Sequence, residues 1–388
     1  MPIVSDRRVF PRIATAVFIK ATLVMFWARL GSLHGLRQSE GSRFWKQWLH
    51  HKMPSEDSLG RVSALLEKNG LQRIGHDVYT KLKRNKALQG RAGLTATVLD
   101  GHETHASYRR HCEGCLQRKI NTQTGERIQY YHRNVTLMLL GEKLRLLLDV
   151  EAQRPGENEI AAARRLLERV LKSYPRAFRL ILADALYAGA PFINYLWSHH
   201  KYVLIVLKDE RSDIYQDSQG LFKIHEPIRG SYRDRECWWW DIGDLTSWSG
   251  VGSRLRVVRS FESYGVKRQA TGKLEQQTAE WMWVTNLPTN LASTAVVVLL
   301  GHARWDIENY GFNELVNGWH ADHVYKHHPM AIDAFYLLAF LAFNLFHAFL
   351  ELNLKPVVRK SKSDFHWARL MAAEIFQVYA FSGFCRSP

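Results

Sequence analysis

Two short apolar runs that each stop at an aspartate constrain this chain more than any other feature. Residues 94–100 read Leu-Thr-Ala-Thr-Val-Leu-Asp, and residues 178–184 read Phe-Arg-Leu-Ile-Leu-Ala-Asp. Short runs rich in β-branched and apolar side chains suit buried strands. An acid at the end of such a strand is costly unless it is paired, hydrogen-bonded or bound to a cation. The surrounding pattern predicts two more strands, residues 128–140 and 143–150, joined by a turn at Gly141 and Glu142. A helix follows over 157–173, with Ile160, Ala163, Leu167 and Leu171 on one face. Residues 190–199 read as a further helix and 202–207 as a further strand.

Hairpin strands first, then helix, strand, helix, strand, is the order of a mixed α/β sheet. It is the order of a ribonuclease-H-like core with flanking helices. We divide the chain into residues 1–90, a basic helical domain; 91–208, the first part of the core; and 209–280, an inserted β-rich subdomain. Residues 281–350 form the second part of the core, and 351–388 a C-terminal tail with helices. Of the net charge of +16, a surplus of 10 falls in the first 90 residues, which hold 16 Lys and Arg against 6 Asp and Glu. So basic a balance points to a polyanionic partner. Ser55 or Pro54 marks a helix start near residue 54.

Residues 13–27 are apolar but contain Lys20, and read as a buried or amphipathic helix. Residues 331–350 approach the length of a bilayer span, yet contain Asp333, Asn344 and His347, so a core helix is expected there and no membrane partner. A membrane-associated chain is the weakest rival reading. No secretory leader pattern is evident, and four cysteines are too few for a disulfide scaffold, so a reducing cytoplasm is expected.

Three acids carry the chemistry. A sheet can set the ends of two strands, with Asp100 and Asp184, side by side. A helix packed across them can add Glu308, from the stretch Arg304, Trp305, Asp306, Ile307, Glu308, Asn309. Hard oxygen ligands of this kind hold magnesium, and a pair of such ions clamps the attacking and leaving oxygens of a phosphoryl displacement. Taken one at a time, each acid has a plainer reading: a turn cap for Asp100 or Asp184, an i,i+4 ion pair with Arg304 for Glu308.

The residues around these acids resemble the DDE transposases of bacterial insertion sequences, in the cut-and-paste group with a β insertion before the catalytic glutamate. The similar stretches are 97–103 (Thr-Val-Leu-Asp-Gly-His-Glu), 182–187 (Leu-Ala-Asp-Ala-Leu-Tyr) followed by Pro191 and Phe192, and 304–313 (Arg-Trp-Asp-Ile-Glu-Asn-Tyr-Gly-Phe-Asn). Residues 54–61 resemble the family's N-terminal helical segment more weakly. The resemblance implies a ribonuclease-H-like core with Asp100, Asp184 and Glu308 as catalytic metal ligands. It implies magnesium, with manganese able to substitute, and strand cleavage at element ends followed by strand transfer. It also implies a homodimer on double-stranded DNA, both element terminal repeats and target, in the cytoplasm at the nucleoid. The family's signature places Tyr, Arg, Glu and Lys at fixed spacing. Arg304 and Glu308 fit it, whereas Gly301 and Leu315 stand at the Tyr and Lys positions. Lys326 or His323 is the candidate substitute at the phosphate. A catalytically decayed or repurposed DNA-binding descendant is the alternative.

Further candidates surround this set. Lys81, Lys83, Arg84, Lys86 and Arg91 form a basic cluster suited to phosphate contact. Arg304 is expected to orient the catalytic helix or a phosphate. Trp238, Trp239 and Trp240 read as an alternating strand, with Trp239 facing opposite to its neighbours and one ring available to stack on a base. Cys112 and Cys115 form a C-x2-C pair near His102 and His105. No second pair follows, since Cys237 and Cys385 are isolated, so zinc is not expected. His320, His323, His327 and His328 are read as DNA or structural contacts.

Overall fold

The computed structural model describes residues 4–123, 125–269 and 272–376. Five helices come first: α1 (Thr15–Trp27), α2 (Leu33–Arg37), α3 (Arg43–Leu49), α4 (Glu56–Ser63) and α5 (Lys68–Arg84). Four strands follow: β1 (Ala96–Ser107), β2 (Leu116–Thr122), β3 (Gly125–Leu140) and β4 (Arg145–Ala152). Next come α6 (Glu159–Ser173), β5 (Leu180–Ala183), α7 (Ala190–Ser198) and β6 (Tyr202–Val206). Residues beyond 209 give α8 (Asp213–Phe222), β7 (Ile228–Tyr232), β8 (Arg235–Leu245), β9 (Leu255–Lys267) and β10 (Leu274–Thr285). The chain then forms α9 (Thr294–Ala303), a π-helical turn Ile307–Phe312, α10 (Asn313–Asn317), α11 (Pro329–Asn353), α12 (Pro356–Lys360) and α13 (Asp364–Phe376).

All ten strands among the described residues belong to one sheet, in the order β2-β3-β1-β5-β6-β10-β9-β8-β7, with β4 also paired to β3. β1, β5 and β6 run parallel, while β3 and β4 form the antiparallel side. The core is ribonuclease-H-like, as the order of elements predicts. The central strands are buried on both faces, which is why they read as continuous apolar runs rather than alternating ones. Ala96 and Val98 of β1, with Leu180 and Leu182 of β5, pack toward α1 and α11. Leu99, Ile181 and Ala183 pack the other way, against Ala162, Leu166 and Val170 of α6.

One expectation needs correction. Asp100 does not end its strand: β1 continues seven residues to Ser107, because its antiparallel partner β3 is sixteen residues long and keeps pairing beyond Asp100. β2, which the sequence reading did not anticipate, pairs with the first half of β3. The strands of 209–280, expected as an inserted subdomain, form no sheet of their own. β10 pairs antiparallel with β6, so β7–β10 continue the central sheet outward.

The N-terminal helices are likewise fastened to the core. Trp27 Nε1 donates to the Ala342 carbonyl of α11 at 3.0 Å, and Lys68 Nζ reaches Asp333 at 2.9 Å. Ser55 caps α4 by accepting from Ser58 N–H at 3.3 Å. α11 is long and apolar enough to cross a membrane, but most of it is buried inside this molecule. Its Asn344 closes both hydrogen bonds to the Leu147 backbone, at 2.9 and 2.8 Å.

Candidate active site

The parallel pairing of β1 with β5 sets Val98 opposite Leu182, so two residues further along each strand Asp100 and Asp184 stand side by side. The alternation of a strand sends residues 96, 98 and 100 to one face, and 180, 182 and 184 to the same one. That is the face covered by α11 and by the helical segment 294–317. β5 stops at Ala183, and Asp184 caps the next turn, its Oδ1 accepting from Leu186 N–H at 3.0 Å. Asp100 Oδ1 accepts from the neighbouring Gly101 N–H at 2.8 Å.

Glu308 arrives from the π-helical turn. Arg304, one turn earlier, joins it to the first acid. Its Nη1 lies 3.1 Å from Asp100 Oδ2 and 3.1 Å from Glu308 Oε1, and its Nη2 also donates to Glu308 at 3.1 Å. The three carboxylates do not close on a single point, because the guanidinium lies between Asp100 and Glu308. Burial pushes the Asp100 carboxyl up to about 7 against the pull of Arg304, and the negative charges of Asp184 and Glu308 push the same way. The donor set is all oxygen, mutually repelling and short of cations, which fits a hard divalent ion.

The helix carrying Glu308 is held from behind. Asp306 Oδ2 accepts from Arg91 at 2.6 Å and from Arg145 at 2.9 Å. Arg91 is thus engaged in an internal ion pair. Lys81, Lys83, Arg84 and Lys86 are exposed at the end of α5, where Lys83 donates to the Arg176 carbonyl at 3.1 Å. They stand where β1 and β5 begin, away from the acids further along those strands. Lys326 is exposed, its stem beside Gly60 of α4.

Trp239 is buried across Gly230, where a Cβ would come within 2.2 Å of the indole. Its neighbours are half-buried: Trp238 lies 5.9 Å from Phe261, and Trp240 donates to the His225 carbonyl at 3.1 Å. The aromatic side chains that flank Glu308 in the chain are Trp305 and Tyr310, 38% and 46% exposed. The sequence reading singled out neither.

It also missed Glu159. This carboxylate is buried, accepts from Tyr187 Oη at 2.8 Å and Arg133 Nε at 2.6 Å, and lies against Gly101. A Cβ at residue 101 would fall 2.3 Å from Glu159 Oε2, so a side chain after Asp100 would displace the Glu159 carboxylate from Tyr187 and Arg133. Glu159 sits in the first turn of α6 behind the Asn158 cap, where an acid is unremarkable in sequence. At the signature's Tyr position, Gly301 has no room for a side chain: a Cβ would lie 2.4 Å from the Trp283 indole. Leu315, at the Lys position, is core, 1% exposed.

The sheet order and the paired aspartates define the ribonuclease-H-like class. A family model described as "Transposase DDE domain" matches residues 92–345, more than half of the chain and all three acids. The chain belongs to that family, the DDE transposases. Comparison with curated proteins gives no match.

Proposed function

We propose that this transposase cuts DNA strands at the ends of an insertion element and joins the freed 3′-hydroxyl to target DNA, with Asp100, Asp184 and Glu308 as its catalytic carboxylates. The observation that carries the reading is the convergence of Asp100 and Glu308 on Arg304, with Asp184 on the adjacent parallel strand. Magnesium or manganese held by these three groups would supply Lewis-acid stabilisation of the attacking and leaving oxygens of an in-line displacement.

The protein's own part is placement. β1 and β5 fix two carboxylates on one face of a rigid sheet. Arg91 and Arg145 hold Asp306, and so fix the turn that presents Glu308. Arg304 keeps Asp100 and Glu308 together while their charges are uncompensated, and its guanidinium suits a DNA phosphate thereafter. The lysines at the end of α5, Lys326 and the half-buried Trp238 are the surfaces offered to the duplex. A homodimer on paired ends, in the cytoplasm at the nucleoid, completes the reading. It rests on the family and on the net charge of +16.

The test is cleavage of DNA carrying the gene's own flanking ends, with magnesium, by wild type and by Asp184→Ala. Cutting by wild type alone supports the proposal. End binding without cutting by either protein would favour a repurposed DNA-binding descendant, the reading that the internal positions of Gly301 and Leu315 favour.

A further inference from the structure

A second cluster of metal-ligand side chains lies apart from the carboxylates. Cys112 and Cys115 occupy the loop between β1 and β2. They meet His132 of β3 and His327, from the segment between α10 and α11. The two sulfurs are 3.7 Å apart. His132 Nε2 lies 3.4 Å from Cys112 Sγ and 3.3 Å from Cys115 Sγ, and His327 Nε2 lies 3.6 Å from Cys115 Sγ. All four ligand atoms fall within 4.8 Å of one another.

Those spacings are the edges of a small tetrahedron. Zinc bonds of about 2.3 Å to sulfur and about 2.0–2.1 Å to nitrogen, at tetrahedral angles, separate two sulfurs by about 3.8 Å and a sulfur from a nitrogen by about 3.6 Å. Hydrogen bonding alone explains the cluster poorly. An imidazole nitrogen donates or accepts one hydrogen, yet His132 Nε2 faces two sulfurs, and thiols are weak partners. Soft thiolates with imidazoles select zinc rather than magnesium. A two-iron cluster bound by two cysteines and two histidines would place sulfurs and imidazoles on different irons, further apart than 3.3–3.6 Å.

We propose that Cys112, Cys115, His132 and His327 bind one zinc ion in a closed, four-coordinate structural site. Four protein ligands leave no open position for substrate, so the ion has no direct part in the reaction. Its place in the fold gives it a mechanical one. Cys115 and His327 are 212 residues apart in sequence. Zinc therefore ties the strand that carries Asp100, through the loop after it, to the chain just beyond the helix that carries Glu308. Sequence alone points away from zinc, because no second cysteine pair follows Cys112 and Cys115 and the position of His327 after the catalytic helix favours a DNA or structural contact. In the structure His102 stacks on Phe312 at 4.5 Å, and His105 Nδ1 contacts Thr104 Oγ1 at 2.7 Å. The ligands that complete the set come from β3 and from the far end of the catalytic segment.

The full chain, purified without added metal or chelator, is tested by elemental analysis for zinc and iron. One zinc per chain is the expected result, with Cys112→Ser/Cys115→Ser losing it and His327→Cys, which keeps a soft fourth ligand, retaining it. Exchange with cobalt(II) is expected to give tetrahedral d–d bands and a thiolate charge-transfer band. Folded wild-type protein without stoichiometric zinc overturns the proposal. So does zinc that persists in the double variant, iron in its place, or a Cys112–Cys115 disulfide found by mass. If the double variant fails to fold, wild-type metal content and the cobalt spectrum still decide. None of these readouts uses DNA cleavage, so the outcome is independent of the transposase activity assay.

Discussion

The carboxylate cluster and the cysteine–histidine cluster both draw on β1 and its surroundings, and they are built on opposite principles. Asp100, Asp184 and Glu308 are hard, like-charged groups on the central strands and the helical segment, with one guanidinium between two of them. The result is unmet electrostatic demand, visible in an Asp100 carboxyl pushed up to about 7 by burial, against Arg304, with its acidic neighbours adding to the push. Cys112, Cys115, His132 and His327 are soft groups on a loop, a strand and a connecting segment, with their ligand atoms within 4.8 Å of one another. A site that must act keeps its demand open; one that must hold has its geometry nearly complete.

The comparison is broken or sharpened by experiment. The largest effect is expected from Asp100→Asn or Asp184→Asn, each lowering magnesium-dependent cleavage by at least about 10²–10³-fold, the scale of losing a preorganised charge-stabilising group. Zinc content should be unchanged in both; a parallel loss of zinc would show that the two clusters are one unit. Cys112→Ser/Cys115→Ser is expected to cost about 3 kcal/mol or more of stability, read as a lower melting temperature that added EDTA no longer depresses.

Next comes pH. The folded protein holds the Asp100 proton up to about 7, against 3.8 for an unperturbed carboxyl. It therefore binds more protons than the unfolded chain in this window. The stability from that group is present below pH 4 and is lost as pH rises toward 7, by a few kcal/mol on the linkage scale. Urea unfolding in magnesium-free buffer should show the decline, and Asp100→Asn should flatten it.

Gly301→Ala is expected to cost about 1–3 kcal/mol by overpacking against Trp283, measured by the same unfolding curves. The smallest effect belongs to Glu168→Ala. It breaks an exposed i,i+4 pair with Arg164 and should change stability by less than about 0.5 kcal/mol.

What could be read from the sequence follows the same division. Asp100 and Asp184 were legible because each interrupts an apolar run at the point where a strand meets the site, and Glu308 because its helix carries Arg304 at the matching spacing. β1 was read too short, since polar residues 101–107 carry no apolar signal and depend on pairing with β3. Glu159 was hidden by its ordinary place in a helix's first turn. The Cys/His set was half-visible: Cys112 and Cys115 form a C-x2-C pair in sequence, whereas His132 and His327 join them only through the fold. Arg91 looked like a surface cation, yet a buried acid, Asp306, claims it.

The π-helical turn at Ile307–Phe312 has a further consequence. At its start Glu308 must face Asp100 across Arg304; after it, Leu315 and Trp319 must enter the core, where each is 1% exposed. An α-helix advances by about 100° per residue, so a fixed count of residues fixes the angle between those two sets. The wider turn holds one residue more than an α ladder would, and so reconciles two phases that a regular helix could not satisfy together. Removing a single residue there would leave chemistry and packing each intact in composition but out of step by about 100°. Between positions 307 and 312 the molecule is less tolerant of a change in length than of a change in side chain.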